Sequence, residues 1–312
     1  MAELSQPEYI WMDGGVRPWA EATVHVWSEV VLRAASVFEG LRGYWNAEEK
    51  RHYFVHLERH LSRLGQSAKL TSIPFRMTTE EFTAALGELV TRLGYAEDIY
   101  VRPTAYLQKG RYVASGDQLA AGFFMPVFPS PREPSIELGL RCQVSSWRRS
   151  DDETSPPRVK AAANYYNLRL ARMEADANGF DEAILLNKAG KLAETGGASI
   201  FVVREGEVST PRLTDSILES LTRSSVIELL AEKGITVRQR EVERTELYVA
   251  DEVFLAGTLS EITPVLTVDR HRVGTGVPGP VTKDVQSAYF AAVGGGAAGD
   301  SRGWLTPGPV IS

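Results

Sequence analysis

Residues 158–201 contain, in one stretch, the features that most constrain how this chain can fold. Lys160 follows a Pro-Pro pair within the run R-V-K-A-A-A-N-Y-Y-N. An amphipathic run then leads to Gly179-Phe180, and two short apolar segments follow, D-E-A-I-L-L-N and L-A-E-T-G-G-A-S-I-F. A helix-length amphipathic run followed by apolar segments of strand length predicts a helix and then strands near Ala183 and Ser199 in a mixed α/β domain.

The same stretch holds a lysine and a carboxylate whose chemistry can be combined. Lys160 lies among small apolar neighbours, and a poorly solvated lysine can act as an amine nucleophile. Glu194 stands in a glycine-rich turn after an apolar segment, where a buried carboxylate needs a cationic partner. A Schiff-base lysine and an acid that holds a protonated ring nitrogen are what a pyridoxal-phosphate site requires. Most such residues are solvated surface charges, so the pair becomes informative only with the motifs around it.

Several motifs follow one another in the order and spacing of the class IV aminotransferases. They are K-A-A-A-N-Y-Y-N, G-F-D-E-A-I-L-L-N, L-A-E-T-G-G-A-S-I-F, L-T-R and A-D-E-V-F-L-A-G-T-L-S-E-I-T-P-V. The chain most resembles the branched-chain amino acid aminotransferases, over residues 8–292. The resemblance implies a fold type IV α/β architecture, with a small N-terminal domain, a larger barrel-like domain and pyridoxal 5′-phosphate between them. It also implies a homodimer or higher homo-oligomer in which loops of one subunit reach the other's site.

The resemblance assigns roles at the cofactor to particular residues. Lys160 matches the catalytic Schiff-base lysine, which also moves the proton between Cα and C4′. Glu194 matches the acid at the pyridine nitrogen, and Tyr165 matches the tyrosine at the phenolic oxygen, whereas Tyr166 is interpreted as packing. The expected phosphate ligands are Arg63, Leu221, Thr222 and Thr258. A helix that starts at Leu221 suits this role, because backbone N–H groups at a helix start bind phosphate.

The substrate pocket is where the chain both matches the family and departs from it. Its expected lining residues are Arg33, Phe38, Arg42, Tyr100, Arg102, Gly257 and Leu259. Arg33 stands where the branched-chain enzymes usually carry a tyrosine, and Ser130 stands in a shortened loop where an aromatic residue is expected. A guanidinium removes apolar contact area and adds a charged, bidentate donor, which favours a second carboxylate, a D-amino acid or an (R)-amine. Arg33 can instead turn outward and pair with Glu29, four residues earlier, and the sequence leaves both interpretations open.

Composition excludes several classes of function. The chain has 312 residues, enough for two modest domains. Its net charge of -6 and pI near 5.6 argue against a non-specific nucleic-acid binder. The single cysteine, Cys142, fits a reducing compartment and leaves no multi-cysteine zinc site, and the histidines show no metal-ligand spacing. The polar N-terminus lacks a leader's apolar core, and no run reaches 18 apolar residues. We therefore expect a cytoplasmic protein without membrane, nucleic-acid or metal partners.

Pattern and turn signals predict the order of elements. Two strands, Y-I-W-M-D-G and A-T-V-H-V-W, are expected on either side of Asp13-Gly14-Gly15. Further strands are expected over 41–45 and 53–56 as a pair, over 99–107 and 123–128 around a glycine-containing loop, and over 136–147. Predicted helices cover 57–70, 79–93, 164–177 and 219–233, and a last one starts near Gly279, before a short tail. The proline-rich segment 129–135 is interpreted as a linker between a small domain, 1–128, and a large cofactor-binding domain, 136–312.

The leading hypothesis is a pyridoxal-phosphate transaminase that moves an amino group between an amino acid and a 2-keto acid, with an altered substrate pocket. One alternative keeps the reaction and changes the donor to a D-amino acid or an (R)-amine. Another keeps the cofactor and changes the reaction to that of an aminodeoxychorismate lyase, which releases pyruvate without a keto-acid acceptor. A binding protein that has only kept the fold is disfavoured, because Lys160, Glu194, Tyr165 and Arg63 are all intact.

Overall fold

The computed structural model describes residues 6–109, 120–296 and 300–311, which form two compact units. The first unit is drawn from Met1–Arg132, Val159–Ala163 and Ala292–Ser312, and the second from Glu133–Arg158 and Asn164–Ala291. The main division lies between Arg132 and Glu133. Two later pieces of chain belong to the first unit, because each of them bonds to a strand of that unit.

The described strands and helices are interspersed along the chain, as in a mixed α/β fold. The strands are β1 (Tyr9–Met12), β2 (Gly15–Pro18), β3 (Ser36–Phe38), β4 (Leu41–Asn46), β5 (Arg51–Val55), β6 (Ile99–Val101), β7 (Thr104–Lys109), β8 (Ala120–Met125), β9 (Val127–Pro129), β10 (Leu140–Arg148), β11 (Glu182–Leu186), β12 (Leu192–Thr195), β13 (Ser199–Arg204), β14 (Glu207–Thr210), β15 (Val237–Gln239), β16 (Glu252–Gly257), β17 (Glu261–Val268), β18 (His271–Arg272) and β19 (Leu305–Val310). The helices are α1 (Glu29–Arg33), α2 (Leu57–Leu70), α3 (Thr79–Leu93), α4 (Ser135–Leu138), α5 (Ala162–Ala177), α6 (Leu221–Glu232), α7 (Glu246–Val249) and α8 (Pro280–Gly294).

The first unit contains two antiparallel sheets whose strands are continuous with one another. One sheet has the order β2-β1-β8-β7-β3, and the other has the order β19-β5-β4-β6-β9. The chain passes from one sheet to the other at Glu39-Gly40, at Pro103 and at Pro126. Proline cannot donate to a strand ladder, which explains why two of the three crossings fall there. The crossings are joined to each other: Glu39 N–H donates to the Pro103 carbonyl at 2.9 Å, and Arg102 N–H donates to the Pro126 carbonyl at 3.1 Å.

Helices α2 and α3 cover the apolar faces of these sheets. In α2 the residues Leu57, Leu61, Leu64 and Ala68 are buried at helical spacing, as predicted. Helix α3 begins with a capping box, in which the Thr78 hydroxyl accepts from Glu81 N–H and the Glu81 carboxylate accepts from Thr78 N–H. The shared core of the first unit also takes in Val159 and Ala161.

The second unit is built on one mixed sheet. Its order is β12-β11-β10-β17-β16-β13-β14-β15, with β18 added to β17. Strand β10 lies parallel to both β11 and β17, and β14 lies parallel to β15, whereas the remaining pairs are antiparallel. The predicted fold class, mixed α/β, is confirmed.

Two local predictions were wrong, each for a physical reason, and the tail, for which no element was predicted, forms a strand. The second strand of the first hairpin is Gly15–Pro18, because the two-residue turn at Asp13-Gly14 returns the chain at once; the run A-T-V-H-V-W is not a strand and leaves Val26 and Trp27 about three-quarters exposed. The segment expected as a strand from residue 136 opens as the helical turn α4 after Pro134. The tail forms β19 on β5. The glycine-containing loop predicted before β8 lies largely outside the described residues.

Across residues 6–109, 120–296 and 300–311, none of the helices combines the length and the apolar character that crossing a membrane demands.

His56, at the start of α2, predicts how stability depends on pH. Its ring is buried against Trp304, with ring centroids 5.1 Å apart, and burial lowers the pKa of His56 to about 3. The folded pKa lies below the unfolded value, so the unfolded chain binds the proton first and stability falls as the pH drops from about 6.5 towards 3. One such group contributes a slope of about 1.4 kcal/mol per pH unit.

Replacing His56 by asparagine should remove this slope, because asparagine tolerates the left-handed φ of 52° at this position. The free energy of unfolding, measured by urea denaturation from pH 7 to pH 4, should then fall less steeply by about one bound proton. His271→Asn, at an exposed position, is the matched control and should leave the slope unchanged. Identical slopes for wild type and His56→Asn would contradict the assignment.

Candidate active site

Lys160 is fixed through its backbone by two elements of the first unit. Its carbonyl accepts from Phe38 N–H at 2.9 Å, and its own N–H donates to the Ser67 hydroxyl at 3.1 Å. Val37 and Ala161 pair as an isolated bridge beside it. Ser67 lies on α2 and is buried. The lysine is therefore held between β3 and α2, so that its side chain starts from a fixed point.

The ring of Phe38 brings together three of the predicted site residues. The Lys160 ammonium lies 5.1 Å from the ring centroid, and the Arg102 guanidinium lies 3.8 Å from it. Phe38 is buried at the end of β3. Cations within about 6 Å of an aromatic face are attracted to it, so the Phe38 ring supports both cations.

Glu39, the next residue, is fully buried and binds two side chains of α2. Arg63 donates to its two carboxylate oxygens, from Nε at 2.6 Å and from Nη2 at 2.8 Å. His60 Nδ1 lies 2.7 Å from the same carboxylate. Burial favours a raised pKa for Glu39, but Arg63 and His60 outweigh it and hold the pKa well below its usual range. Burial lowers the pKa of His60, against the opposing hydrogen bond. The group is thus an ionised carboxylate, a guanidinium and a neutral imidazole.

Tyr100 and Arg42 occupy facing positions on β6 and β4. The Tyr100 hydroxyl lies so close to Gly40 that a Cβ there would come within 2.7 Å of it. Arg42 is buried and donates to the Ser130 carbonyl at 2.8 Å, with the Ser130 hydroxyl at 3.4 Å. Ser130, one of the two departures from the family pattern, therefore serves as an anchor for a predicted pocket arginine.

Arg33, the other departure, forms an ion pair with Glu29 within α1. Its Nη1 donates to both carboxylate oxygens, at 2.9 and 2.8 Å. Glu29 is nearly buried, whereas 44% of the Arg33 side chain is exposed. The pairing is the one that the second interpretation of Arg33 expected, and it neutralises the guanidinium.

In the second unit, Glu194 is buried, and its carboxylate accepts two hydrogen bonds. Arg149 Nε donates to one oxygen at 2.7 Å, and Leu218 N–H donates to the other at 3.1 Å. Arg149 is itself buried, so it supplies the cationic partner that the sequence required for this carboxylate. Leu218 lies in the loop that leads into α6, which links the position of Glu194 to that of the helix start.

The Ser220 side chain caps the start of α6 through the N–H of Arg223, not through the first two N–H groups of the helix. The Ser220 hydroxyl accepts from Arg223 N–H, and the N–H groups of Leu221 and Thr222 precede any intrahelical acceptor. Both residues are buried. Gly257 ends β16, with Thr258 and Leu259 in the turn that follows, and a Cβ at Gly257 would lie 2.8 Å from the Gly197 carbonyl oxygen.

The two tyrosines at the start of α5 differ. Tyr165 is partly buried and packs beside Leu168. Tyr166, interpreted from the sequence as packing, is instead 65% exposed, because one helical step of about 100° turns it away from the apolar side.

Sequence reasoning missed Glu39, Arg149 and Ser67. Glu39 left a signal, a lone acid inside the apolar run S-V-F-E-G-L, and Arg149 left a weaker one in W-R-R-S. Ser67 left none, since a serine in a helix gives no sign of what it bonds. His60 was interpreted as structural, and the structure adds that its partner is Glu39.

Comparison with known proteins agrees with this geometry. Residues 36–268 match the family model described as amino-transferase class IV. The chain belongs to this family. A probable branched-chain-amino-acid aminotransferase of Aquifex aeolicus is 37% identical over 301 residues, 96% of each chain. The branched-chain-amino-acid aminotransferase of Escherichia coli K12 is 37% identical over 305 residues, 96% of each chain.

Solved structures of class IV aminotransferases superpose on nearly the whole chain. The branched-chain amino acid aminotransferase of Thermobaculum terrenum in its PLP form has a TM-score of 0.89 at 42% identity, over 97% of this chain and 98% of that one. The Escherichia coli enzyme has a TM-score of 0.90 at 34% identity, over 97% and 99%. The protein is a PLP-dependent aminotransferase, as its motifs implied.

The residues present fit pyridoxal phosphate. The first unit offers the amine of Lys160 and a guanidinium, Arg63. The second unit offers a buried carboxylate already held by Arg149 and the N–H groups that open a helix. These are the donor types that an aldehyde, a ring nitrogen and a phosphate require.

The Gly40–Tyr100 contact predicts an effect on substrate binding. In Gly40→Ala the new Cβ must displace the Tyr100 hydroxyl and ring, which lie 2.7 and 2.9 Å away. The KM for the amino donor should rise about 5-fold, since losing one well-placed hydrogen bond costs about 1 kcal/mol. PLP affinity should stay unchanged. Steady-state kinetics and PLP titration measure the two quantities.

Gly65→Ala is the matched control, because a Cβ there meets nothing within 4 Å. It should leave KM unchanged. An unchanged KM in Gly40→Ala would show that Tyr100 has no part in substrate binding.

Proposed function

We propose that this aminotransferase exchanges amino groups between branched-chain L-amino acids and a 2-keto acid such as that of glutamate. The observation that carries the proposal is the position of Lys160. Its backbone is held by β3 and α2, and its ammonium lies beside the Phe38 ring. Another branched-chain amino acid aminotransferase, 36% identical to this chain, has been solved with N-(5′-phosphopyridoxyl)-L-glutamate and with 4-methylvaleric acid. One family site thus accepts both an acidic and a branched aliphatic ligand, which supports the same pair here.

Lys160 acts twice in this proposal. Its amine would hold pyridoxal phosphate at the cofactor's aldehyde carbon, with loss of water, and once displaced by the amino donor it would be the base at the substrate Cα. Bound pyridoxal phosphate supplies an electron sink that makes the Cα proton removable. The fixed backbone of Lys160 keeps Nζ within a small volume, so the same atom can take the Cα proton and deliver it nearby.

Glu194 and Tyr165 tune the ring in this proposal. The Glu194 carboxylate would accept the hydrogen bond of the protonated ring nitrogen, and Arg149 holds that carboxylate in place. The Tyr165 hydroxyl donates to the phenolic oxygen. Both interactions favour the ring form that withdraws electrons.

The phosphate is held by donors from different elements. The N–H groups of Leu221 and Thr222 at the start of α6 match an anion in charge and direction. The Thr222 and Thr258 hydroxyls and the Arg63 guanidinium complete the set.

The substrate is bound by the remaining predicted residues. The carboxylate of the amino acid takes the Tyr100 hydroxyl and the N–H groups of the turn at Gly257 and Leu259. Phe38 forms an apolar wall, with Arg102 stacked on it. Arg42 is tied to Ser130, so it shapes the pocket more than it binds the substrate.

The Arg33–Glu29 pair favours a branched-chain main donor over one that depends on Arg33 to bind a second carboxylate. A new carboxylate must share the guanidinium with Glu29, whose two carboxylate oxygens both accept from Arg33 Nη1. The names of the matching relatives likewise favour a transaminase over a lyase.

We further propose a homodimer in the cytoplasm. Val24, Val26, Trp27, Val31 and Leu32 are exposed along a single short stretch, and such apolar patches mark association sites. The buried, single Cys142 suits a reducing compartment.

Lys160→Ala tests the reaction class. Without the amine the holoenzyme should lose both turnover and the visible absorption band of the lysine–cofactor imine, since no other group can replace that bond. Absorption spectroscopy and a coupled assay measure the two. Lys69→Ala, at an exposed position of α2, should keep both. A visible band that persists unchanged in Lys160→Ala would overturn the assignment.

Arg33→Tyr tests the pocket. The wild type should be converted to its amino form by L-leucine and L-glutamate, and by none of D-alanine, D-glutamate and (R)-1-phenylethylamine. The tyrosine adds apolar area and removes the cation, so the rate ratio of L-leucine to L-glutamate should rise, by about 10-fold. Half-reaction rates followed by absorption give this ratio. Conversion by the D-donors or the (R)-amine would refute the proposed donor class, and an unchanged ratio would exclude Arg33 from the pocket.

A further inference from the structure

Glu39 holds Arg63 by one edge of its guanidinium. The carboxylate takes one hydrogen from Nε and one from Nη2, at 2.6 and 2.8 Å. Arginine carries five N–H donors in a rigid plane, so a two-point contact along one edge fixes the direction of the whole plane. The second edge, formed by Nη1 and Nη2, is thereby given one orientation.

The carboxylate is itself fixed at several points. The backbone N–H of Glu39 is bonded to the Pro103 carbonyl at the sheet crossing, and His60 binds one of its carboxylate oxygens at 2.7 Å. Glu39 has no exposed surface. A buried carboxylate remains ionised only with cationic or hydrogen-bonding partners, so this side chain cannot turn away without losing both His60 and Arg63.

Arg63, by contrast, has a long side chain with many rotamers, which lose free energy when they are ordered. An arginine that had to be ordered by each arriving phosphate would bind it more weakly than one already in place. Glu39 performs that ordering in advance.

We propose that Glu39 is a positioning residue for phosphate binding: it fixes one edge of the Arg63 guanidinium so that the other edge meets the cofactor phosphate. The proposal rests on the proposed function, in which Arg63 is a phosphate ligand. Glu39 itself does not touch the cofactor. Its effect should therefore be specific to ligands that carry a phosphate.

The experiment compares pyridoxal phosphate with pyridoxal, which lacks the phosphate. Apoenzyme is titrated with each by absorption, and the ratio of the pyridoxal Kd to the pyridoxal phosphate Kd isolates the phosphate contribution. Glu39→Gln should raise the Kd for pyridoxal phosphate about 10-fold, the lower end of what side chains that orient a ligand-binding group contribute at metal sites, and should leave the Kd for pyridoxal unchanged. An unchanged ratio in Glu39→Gln would overturn the proposal.

Two variants of the pair separate this proposal from the one on which it rests. Arg63→Lys keeps the charge and loses the planar fork, so it should also lower the ratio, and Glu39→Gln added to it should lower the ratio no further. If Arg63→Lys leaves the ratio unchanged, Arg63 is not a phosphate ligand and the proposed function fails at this residue. If Arg63→Lys lowers the ratio and Glu39→Gln does not, only the positioning role fails.

Glu39→Asp keeps the carboxylate but shortens the side chain by one methylene. This variant provides the test if Glu39→Gln does not fold. The ratio for Glu39→Asp should lie between those of wild type and Glu39→Gln. If Glu39→Gln does not fold, the ratio for Glu39→Asp should still lie below that of wild type; a ratio equal to wild type in Glu39→Asp would overturn the proposal.

Glu252→Gln is the matched control for a purely structural buried carboxylate. Among the contacts described, the Glu252 carboxylate bonds only to Val281 N–H and to the N–H and hydroxyl of Thr282. Glu252→Gln should lower thermal stability and leave the ratio unchanged; a lowered ratio there would show that the readout follows stability, and the proposal would fall.

Discussion

The hydrogen bond from Glu39 N–H to the Pro103 carbonyl marks the constraint on which the first unit depends. At this point two antiparallel sheets exchange their strands, and the side chains on either side of the crossing are directed by it. Phe38, just before the crossing, presents its N–H to Lys160. Gly40, just after it, leaves room for the Tyr100 hydroxyl. A shift of one residue would exchange the faces of these strands and would separate the lysine, the carboxylate and the tyrosine.

Each unit handles a buried carboxylate in the same manner, by giving it an arginine and a second donor. Glu39 has Arg63 and His60, and Glu194 has Arg149 and the Leu218 N–H. The cost of removing a carboxylate from water is large unless such partners are present. These pairs therefore contribute less to stability than to fixing directions: in both cases a group expected at the cofactor is held in one orientation before any ligand binds.

The sequence predicted the elements whose signals are local and failed where long-range pairing decides. Helix α2 and the capped helix α3 follow from apolar spacing and from Thr78 with Glu81, which lie within a few residues of each other. Strand β19 could not be predicted in this way, because L-T-P-G-P-V has two prolines and becomes a strand only through its pairing with β5. The division of the first unit into two sheets could not be predicted either, since a proline inside a strand pattern signals an interruption but not the sheet to which the chain continues.

In the candidate site, too, the residues with local sequence signals were predicted and those defined by distant contacts were not. Lys160, Glu194 and Arg63 lie in motifs that identify the family, whereas their supports, Ser67, Arg149 and Glu39, each act on a residue 24 to 93 positions away. Burial distinguishes these supports from ordinary surface polar residues, and a single sequence gives burial only as a periodicity.

The two departures in the substrate pocket are both tied to neighbours, which changes what they mean for specificity. Ser130 binds Arg42 through its carbonyl, a group that any residue would provide, so the loss of an aromatic side chain there leaves the arginine held. Arg33 is different, because its partner is the more buried member of the pair: Glu29 is nearly covered while much of the arginine is exposed. A carboxylate in that position needs a cation, so the cost of separating the pair falls mainly on Glu29, while the partly exposed arginine stays solvated. The effect of Arg33 on substrate selectivity therefore depends on how strongly Glu29 retains the guanidinium.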